Sequence, residues 1–441
     1  MTTSESGAVL ERLARLHSRR IELDLERLPA LLDRLGAPQR RLPPVVHVAG
    51  TNGKGSVLAF LAAMLGAAGL KVSRYVSPYL LEPAEQVLLP DGQVQDAVLA
   101  AALARVEEAN DGAPLTSFEA LTAAAFLVYS EQPADMLLLE CGMGGRTDAT
   151  NVIDRPELVA ITAVDLDHMA FLGPDIRSIA SEKAGILKPR IPVVASPAHR
   201  DAVDVIAARA ASLAAPLYLA GRDFAVDPAT GHYRGIAFDL DLPVPTLAGP
   251  HQWANAAQAA ACAELLLTDP ARLQGPITAR TAPAEAIRTG VGSAVWPARL
   301  QRLADAAHEI WVDGGHNPHA ARALVVALQA MAPAPLVLVT GMQDTRPVAD
   351  FLAPFVALDP LVIGTRAGSQ PAFVPGAPLA PDAVVAAARD LGLRAEAAED
   401  PGAALERAKK EPAARILVAG SLYLAGDVLR RSGQMLDSIQ L

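Results

Sequence analysis

The run with the most chemical potential is Gly50-Thr51-Asn52-Gly53-Lys54-Gly55-Ser56. Glycines let a backbone pass close to phosphate oxygens, so that several N–H groups can point at them. A helix that follows adds the positive end of its dipole. Lys54 would then reach the β- and γ-phosphates of a nucleotide, and the Ser56 hydroxyl would ligate Mg²⁺. Gly55 separates the lysine from the serine, which departs from the general GxxxxGK[ST] spacing. A plain glycine turn between strand and helix is the alternative; the lysine and serine favour an ATP site.

Further groups suit the same chemistry. Glu140 closes the apolar run Met136–Leu139 and precedes CGMGGRTDATN, so a carboxylate stands at a strand's carboxyl end, where it could hold Mg²⁺ or its water shell. Asp165-Leu166-Asp167-His168 ends the next apolar run in the same way. His168 is either a structural histidine or a ligand of a second ion, a site that would also accept Mn²⁺. Lys183, in SEKAGILKP, reads by spacing alone as a solvated helix face. Asp313-Gly-Gly-His316-Asn317-Pro-His319 follows another apolar run. Asp313 could take a ribose hydroxyl and His316 a phosphate or carboxylate, unless the segment is only a turn. Arg299 offers a guanidinium fork to a phosphate, or a surface salt bridge.

These groups need a scaffold. Val45–Val48 is a short, nearly all-apolar run, the pattern of a strand covered on both faces, and it is followed by the glycine loop and an apolar helix from near Ser56. Strand, loop and helix in that order open an α/β domain. Leu158–Val164 and Val193–Ala195 are further buried-strand candidates beside Met136–Leu139. Helices are expected over 8–18, 22–36 (with Pro29 near its start), 95–108, 117–129, 175–187 and 251–267. Residues 216–247 are predicted to form a small antiparallel β appendage. The Pro-, Gly- and Arg-rich stretch 268–296 reads as a linker. Beyond it strands and helices alternate again, in a Rossmann-like α/β unit. The expected domains are therefore 1–295 and 296–441, with a ligand cleft between them.

Composition sets the outer bounds. The 441 residues carry 38 basic and 48 acidic side chains, a net charge of −10. That balance argues against nucleic acid or an anionic membrane as main partner. Half the residues are hydrophobic, enough for two cores and incompatible with wholesale disorder. Two cysteines, Cys141 and Cys262, exclude a disulfide framework and a cysteine zinc site, as expected of a cytoplasmic protein. The run MTTSESGAVLERLARLHSRR lacks an apolar core and is not expected to act as a signal peptide.

Taken together, the motifs resemble one family. HVAGTNGKGS, SPYL at 77–80, TSFEALTAAAF at 116–126 and LLECGMGGRTDATNV at 138–152 occur in its order. LDHMAFLG, SEKAGILKP, GPHQWANAA, WPARLQRL, DGGHNPHA and GSLYLAG follow in turn. The chain resembles folylpolyglutamate synthase of the bacterial type that doubles as dihydrofolate synthase, in the Mur ligase superfamily. The resemblance implies a P-loop, Mur-ligase-like ATPase domain with its β appendage, then the Rossmann-like domain.

It also implies roles. Gly50, Thr51, Asn52, Gly53, Lys54, Gly55 and Ser56 match the phosphate loop, and Ser77, Glu140 and His168 match residues around magnesium. Lys183 matches a lysine carbamylated in the superfamily. Asn255 and Arg299 match nucleotide contacts, Asp313 a ribose contact, and His316 a residue near the phosphate and the incoming glutamate. Ser421 and Tyr423 fall on the glutamate side, and Phe118, Thr122 and Asp148 on the pterin side. The implied reaction joins L-glutamate to dihydropteroate or a reduced folate using ATP, in a monomer. Departures occur at Tyr79–Val87, where Gln86 replaces the usual arginine, at Gly341–Pro347, and at Met169-Ala170. They leave open a Mur-type ligase for a non-folate carboxylate, such as a cell-wall precursor. A nucleotide-dependent switch is the non-enzyme rival; the absence of an NKxD-type guanine-reading motif counts against it.

Overall fold

The computed structural model describes residues 4–16, 27–268, 281–368 and 376–434. Two compact units divide the chain. The first holds Met1–Thr246 with Gln252–Val295, and the second Leu247–His251 with Trp296–Leu441. The five residues Leu247–His251 thus group with the second unit although they lie within the stretch assigned by sequence to the first. Residues 269–280 of the expected linker and 22–26 of the second expected helix lie outside the described residues. The described remainder of the linker is not plain coil, because Pro283–Val291 folds as a helix that buries Ala286, Ile287, Gly290 and Val291.

In the first unit the strands are β1 (Val45–Ala49), β2 (Val72–Tyr75), β3 (Val87–Leu89), β4 (Gly92–Gln93), β5 (Met136–Glu140), β6 (Leu158–Ile161), β7 (Val193–Ala195) and β8 (Leu217–Leu219). They form one sheet in the order β4-β3-β2-β5-β1-β6-β7-β8. β3 and β4 run antiparallel at one edge, and β2, β5, β1, β6, β7 and β8 are mutually parallel. Every residue of β1, β5, β6 and β7 is buried, as a parallel sheet with helices on both faces requires. Central β1 is flanked by β5 and β6, so loops leaving these three strands gather at one carboxyl edge. Val159, Ile161, Val193, Ile179, Ile186 and Ile206 close the core on one face.

The predicted appendage needs one correction. Leu217–Leu219 is the eighth strand of the main sheet, parallel to β7. Only β9 (Ala225–Val226), β10 (His232–Arg234) and β11 (Leu240–Asp241) form the small antiparallel sheet. The apolar triplet Leu-Tyr-Leu extends the parallel sheet beside β7, whereas the equally short His232–Arg234 exposes both its ends and pairs only within the small sheet.

The second unit's strands are β12 (Gln301–Arg302), β13 (Glu309–Val312), β14 (Leu336–Thr340), β15 (Leu361–Gly364), β16 (Arg394–Ala397) and β17 (Arg415–Ala419). Their order is β12-β13-β17-β14-β15-β16, all parallel except β12. β17 returns between β13 and β14, which sets its loop beside theirs. Leu324, Leu338, Phe351, Phe355, Val362 and Leu417 make its core. Among the described residues, no helix is long and apolar enough to cross a membrane.

Candidate active site

The loop after β1 is held in shape before any nucleotide arrives. Thr51 N–H donates to the Ala163 carbonyl at 2.7 Å. Thr51 Oγ1 donates to the Asp165 carbonyl at 3.0 Å and accepts from Asp165 N–H at 3.1 Å. Thr162 Oγ1 donates to the Asn52 carbonyl at 2.8 Å. A Cβ at Gly50 would lie 1.8 Å from Thr162 Oγ1, so a side chain there would push the loop off its clip. Gly53 sits at φ +90° at the N-terminus of the helix Lys54–Ala67, and a Cβ there would meet Asn255 Oδ1 at 2.6 Å. Asn255, whose Nδ2 donates to Gln252 Oε1 at 2.9 Å, therefore borders the loop.

Lys54 opens that helix, and its Nζ folds back to the carbonyls of Gly50 (3.1 Å) and Thr51 (3.3 Å). It also stands 3.8 Å from Glu140 Oε1. The pairing of Val48 with Glu140 across β1 and β5 brings the carboxylate beside the loop. Its Oε2 accepts from Ser77 N–H at 3.3 Å. The Ser77 hydroxyl is buried with no partner among the described residues. An orphaned hydroxyl oxygen next to a carboxylate and a lysine suits a hydrated cation and phosphate oxygens. Ser56, in the first helical turn, is buried.

His168 lies across the same edge, at φ +51° before the short helix Met169–Leu172. Its Nε2 is 4.0 Å from Asp167 Oδ2. Asp165 faces His199 Nε2 at 3.5 Å. Among the described residues, no three His, Cys, Asp or Glu side chains converge as a ready metal cage. Ser77, Glu140 and His168 would hold an ion only with phosphate oxygens and water completing its shell, which is how Mg²⁺ is usually held.

Lys183 corrects the expectation of a solvated face. It is 3 % exposed, because the helix Ile176–Ala184 turns Ile179, Ala180, Lys183 and Ala184 inward. Burial is the main cause that lowers its pKa to about 7; the charge of Lys54 adds to it, and Asp167, Cys141 and Asp148 partly oppose it. A large share of this amine is neutral, and hence nucleophilic, near neutral pH.

The pterin-side candidates fall around the turn after Glu140. Phe118 packs its ring over Gly142, where a Cβ would lie 2.5 Å from Cζ. Thr122 is fully buried, donating to the Phe118 carbonyl at 2.7 Å and lying 3.0 Å from the Tyr75 hydroxyl. Asp148 is buried, and its Oδ2 accepts from Met143 N–H at 2.8 Å. In the divergent segment, Glu85 receives the N–H groups of Leu80 (2.7 Å), Leu81 and Glu82 (3.0 Å). Burial raises its carboxyl to about 7. Gln86 is buried, with Oε1 unpartnered among the described residues.

In the second unit, Asp313 follows β13 and is 6 % exposed. Its oxygens accept from Leu300 N–H and Gly315 N–H, each at 2.7 Å. Burial raises its carboxyl, and the charge of Arg299 opposes that rise. A ribose hydroxyl would have to share oxygens that already brace the turn. Arg299 Nη1 donates to the Ala298 carbonyl at 2.9 Å. His316 Nδ1 lies 2.9 Å from the Gly314 carbonyl, which can only accept, so Nδ1 carries the proton. Ser421 Oγ caps the helix Leu422–Ser432 by accepting from Tyr423 N–H at 3.2 Å, and Tyr423 is buried. Gly420 N–H donates to the Gly315 carbonyl at 2.8 Å, tying the turns after β13 and β17 together. Thr162 and His199 escaped the sequence reading; a threonine ending the apolar run LVAIT was the one available signal.

Residues 298–422 match the Mur ligase, glutamate ligase domain family. Over the whole chain, the folylpolyglutamate synthase of Lacticaseibacillus casei is 34% identical over 424 residues, covering 92% of this chain and 93% of the relative. Escherichia coli FolC, solved in complex with DHPP and ADP, is similar with a TM-score of 0.84 at 28% identity, over 98% of this chain and 99% of that one. The bifunctional folylpolyglutamate synthase/dihydrofolate synthase of Yersinia pestis, solved with AMPPNP and Mn ion, gives a TM-score of 0.82 at 30% identity, over 98% and 99%. A ligase for a non-folate carboxylate is not favoured by these relatives. The chain belongs to the folylpolyglutamate synthase/dihydrofolate synthase family, ATP-dependent ligases that form amide bonds.

Proposed function

We propose that this enzyme joins the α-amino group of L-glutamate to the free carboxylate of dihydropteroate, or of the glutamate tail of a reduced folate, giving ADP and phosphate. The carrying observation is Lys54 Nζ, held between the loop carbonyls and Glu140 beside the orphaned Ser77 hydroxyl. Oxide is a poor leaving group, so a carboxylate resists amines. Attack of a carboxylate oxygen on the γ-phosphorus releases ADP and leaves an acyl phosphate. The glutamate amine, having lost a proton, adds to the carbonyl carbon, and phosphate departs with the oxygen it took from the acid. Lys54 and the loop N–H groups meet the charge that builds on the transferring phosphoryl. Asn255, Arg299 and Asp313 are assigned to the nucleotide, and His316, Ser421 and Tyr423 to the phosphate and glutamate side.

Ser77, Glu140, His168 and Ser56 would hold Mg²⁺, or Mn²⁺, which when bound neutralises the phosphate oxygens. Lys183 is proposed to be carbamylated: its neutral nitrogen adds to CO₂ and loses a proton, giving an anionic group beside Lys54. Lys183→Ala should lose activity and recover part of it with short carboxylates; no recovery at any concentration would count against the carbamate. The enzyme is placed in the cytoplasm, in keeping with two buried free cysteines.

ADP release should require both an acid substrate and L-glutamate for full turnover. A panel of dihydropteroate, tetrahydrofolate and a UDP-linked peptide checks this. Turnover with the peptide alone would overturn the reading.

A further inference from the structure

A line of buried polar groups crosses the first unit beneath the site, and phosphate binding does not use it. His47 is the middle residue of β1, wholly buried among three valines and an alanine of the same strand. Its Nε2 lies 2.9 Å from Thr150 Oγ1 and 3.1 Å from Cys141 Sγ. The Thr150 hydroxyl, also wholly buried, is 2.5 Å from Asp148 Oδ1. That same oxygen accepts Thr150 N–H at 2.9 Å. A histidine in a strand core is costly unless its N–H is used, and any aliphatic residue would fill the position.

Counting hydrogens orders the line. Burial raises the Asp148 carboxyl, but Met143 N–H and Thr150 N–H donate to its two oxygens and favour it as an acceptor, so the single Thr150 hydroxyl proton goes to it. The Thr150 oxygen is then left to accept, and His47 Nε2 must carry the hydrogen, with Cys141 Sγ as a second acceptor. Nδ1 becomes a bare lone pair, and it is buried with no partner among the described residues. Burial, helped by the charge of Lys188, keeps the ring neutral. Every hydrogen in the line points toward Asp148, whose other oxygen is turned by Met143 N–H.

We propose that His47 and Thr150 are positioning residues: they fix the Asp148 carboxylate as an aimed acceptor for N–H groups of the acid substrate, and so set the affinity for that substrate and not for ATP. The inference rests on the placement of Asp148 on the acid-substrate side. Neither His47 nor Thr150 touches substrate; both act through the carboxylate.

The test is steady-state kinetics with dihydropteroate and ATP varied separately. Thr150→Val keeps the branched shape and removes the hydroxyl. It should raise KM for dihydropteroate about tenfold or more, the loss expected for a hydrogen bond to a charged group. KM for ATP should stay within about twofold, and Thr150→Ser should restore the acid affinity. His47→Gln, whose amide N–H can stand where Nε2 stood, should retain more acid affinity than His47→Leu. Unchanged acid KM in Thr150→Val and His47→Leu, with a raised KM in Asp148→Asn, would overturn the relay and leave the role of Asp148 standing. An unchanged KM in Asp148→Asn would instead remove the reading beneath it. Should the apolar variants fail to fold, ¹⁵N-histidine spectra of the wild type decide: the Nε2–H tautomer at His47 is expected, and an Nδ1–H tautomer refutes the proposal.

Discussion

Lys183→Met should make the protein more stable while removing its activity, because the native site holds an amine that the fold itself disfavours. Lys183 is buried, and its pKa falls from the ordinary 10.5 to about 7. In the folded state it binds fewer protons than in the unfolded chain between those two values, so wild-type stability rises with pH across that window. Below about pH 7 both states are protonated, and the full penalty of roughly 5 kcal/mol applies. At pH 7 itself about 4 kcal/mol remains. Methionine has a similar length and no charge, so it keeps the packing and escapes the penalty. Part of the gain is lost to relaxation around Lys54 and Asp167; about 2–4 kcal/mol at pH 6.5 is the expectation. Urea unfolding at pH 6.5 and 9.5 in CO₂-free buffer gives the answer. The variant's advantage should be largest at pH 6.5 and shrink at 9.5, with adding bicarbonate closing it further as the wild-type amine is consumed. An advantage independent of pH, or a variant less stable at pH 6.5, would refute the reasoning.

Lys54→Ala should lower kcat by about 10²–10³, or ~3–4 kcal/mol of barrier, with the fold intact by circular dichroism. Activity within tenfold of wild type would end its assignment to the phosphoryl group. Thr162→Val unclips the Asn52 carbonyl from the loop at a cost of about 1 kcal/mol, so KM for ATP should rise several-fold in initial-rate assays with little change in KM for the acid. Ser77→Ala, which removes the orphaned hydroxyl beside Glu140, should raise the Mg²⁺ concentration for half-maximal activity more than it changes KM for L-glutamate.

The strand, glycine loop and helix start of the candidate ATP site were legible because their signals are local. The apolar run at β1, a glycine loop and a lysine at the first helical position sit within a dozen residues. Glu140 was legible for the same reason, as the polar end of an apolar strand. What the sequence hid depends on register between strands far apart in the chain. Thr51 meets Asp165, and His47 meets Cys141 and Thr150, only once β5 and β6 pair with β1 on either side. β2 and β16 were not anticipated: their half-exposed, partly charged residues (VSRY and RAEA) do not make an apolar run. The helix bearing Lys183 could have been read better. Ile179 lies one turn before Lys183 on the inward face, so the lysine falls on the buried stripe.

The central claim is that the substrate carboxylate is phosphorylated before nitrogen attacks it, and isotope transfer tests it most directly. Dihydropteroate carrying ¹⁸O in its carboxylate would be turned over with ATP and L-glutamate, and the released phosphate examined by ³¹P NMR. One labelled oxygen per phosphate is the predicted result, since the acid's oxygen leaves with the phosphoryl group. Phosphate free of label, alongside amide product, would contradict the account.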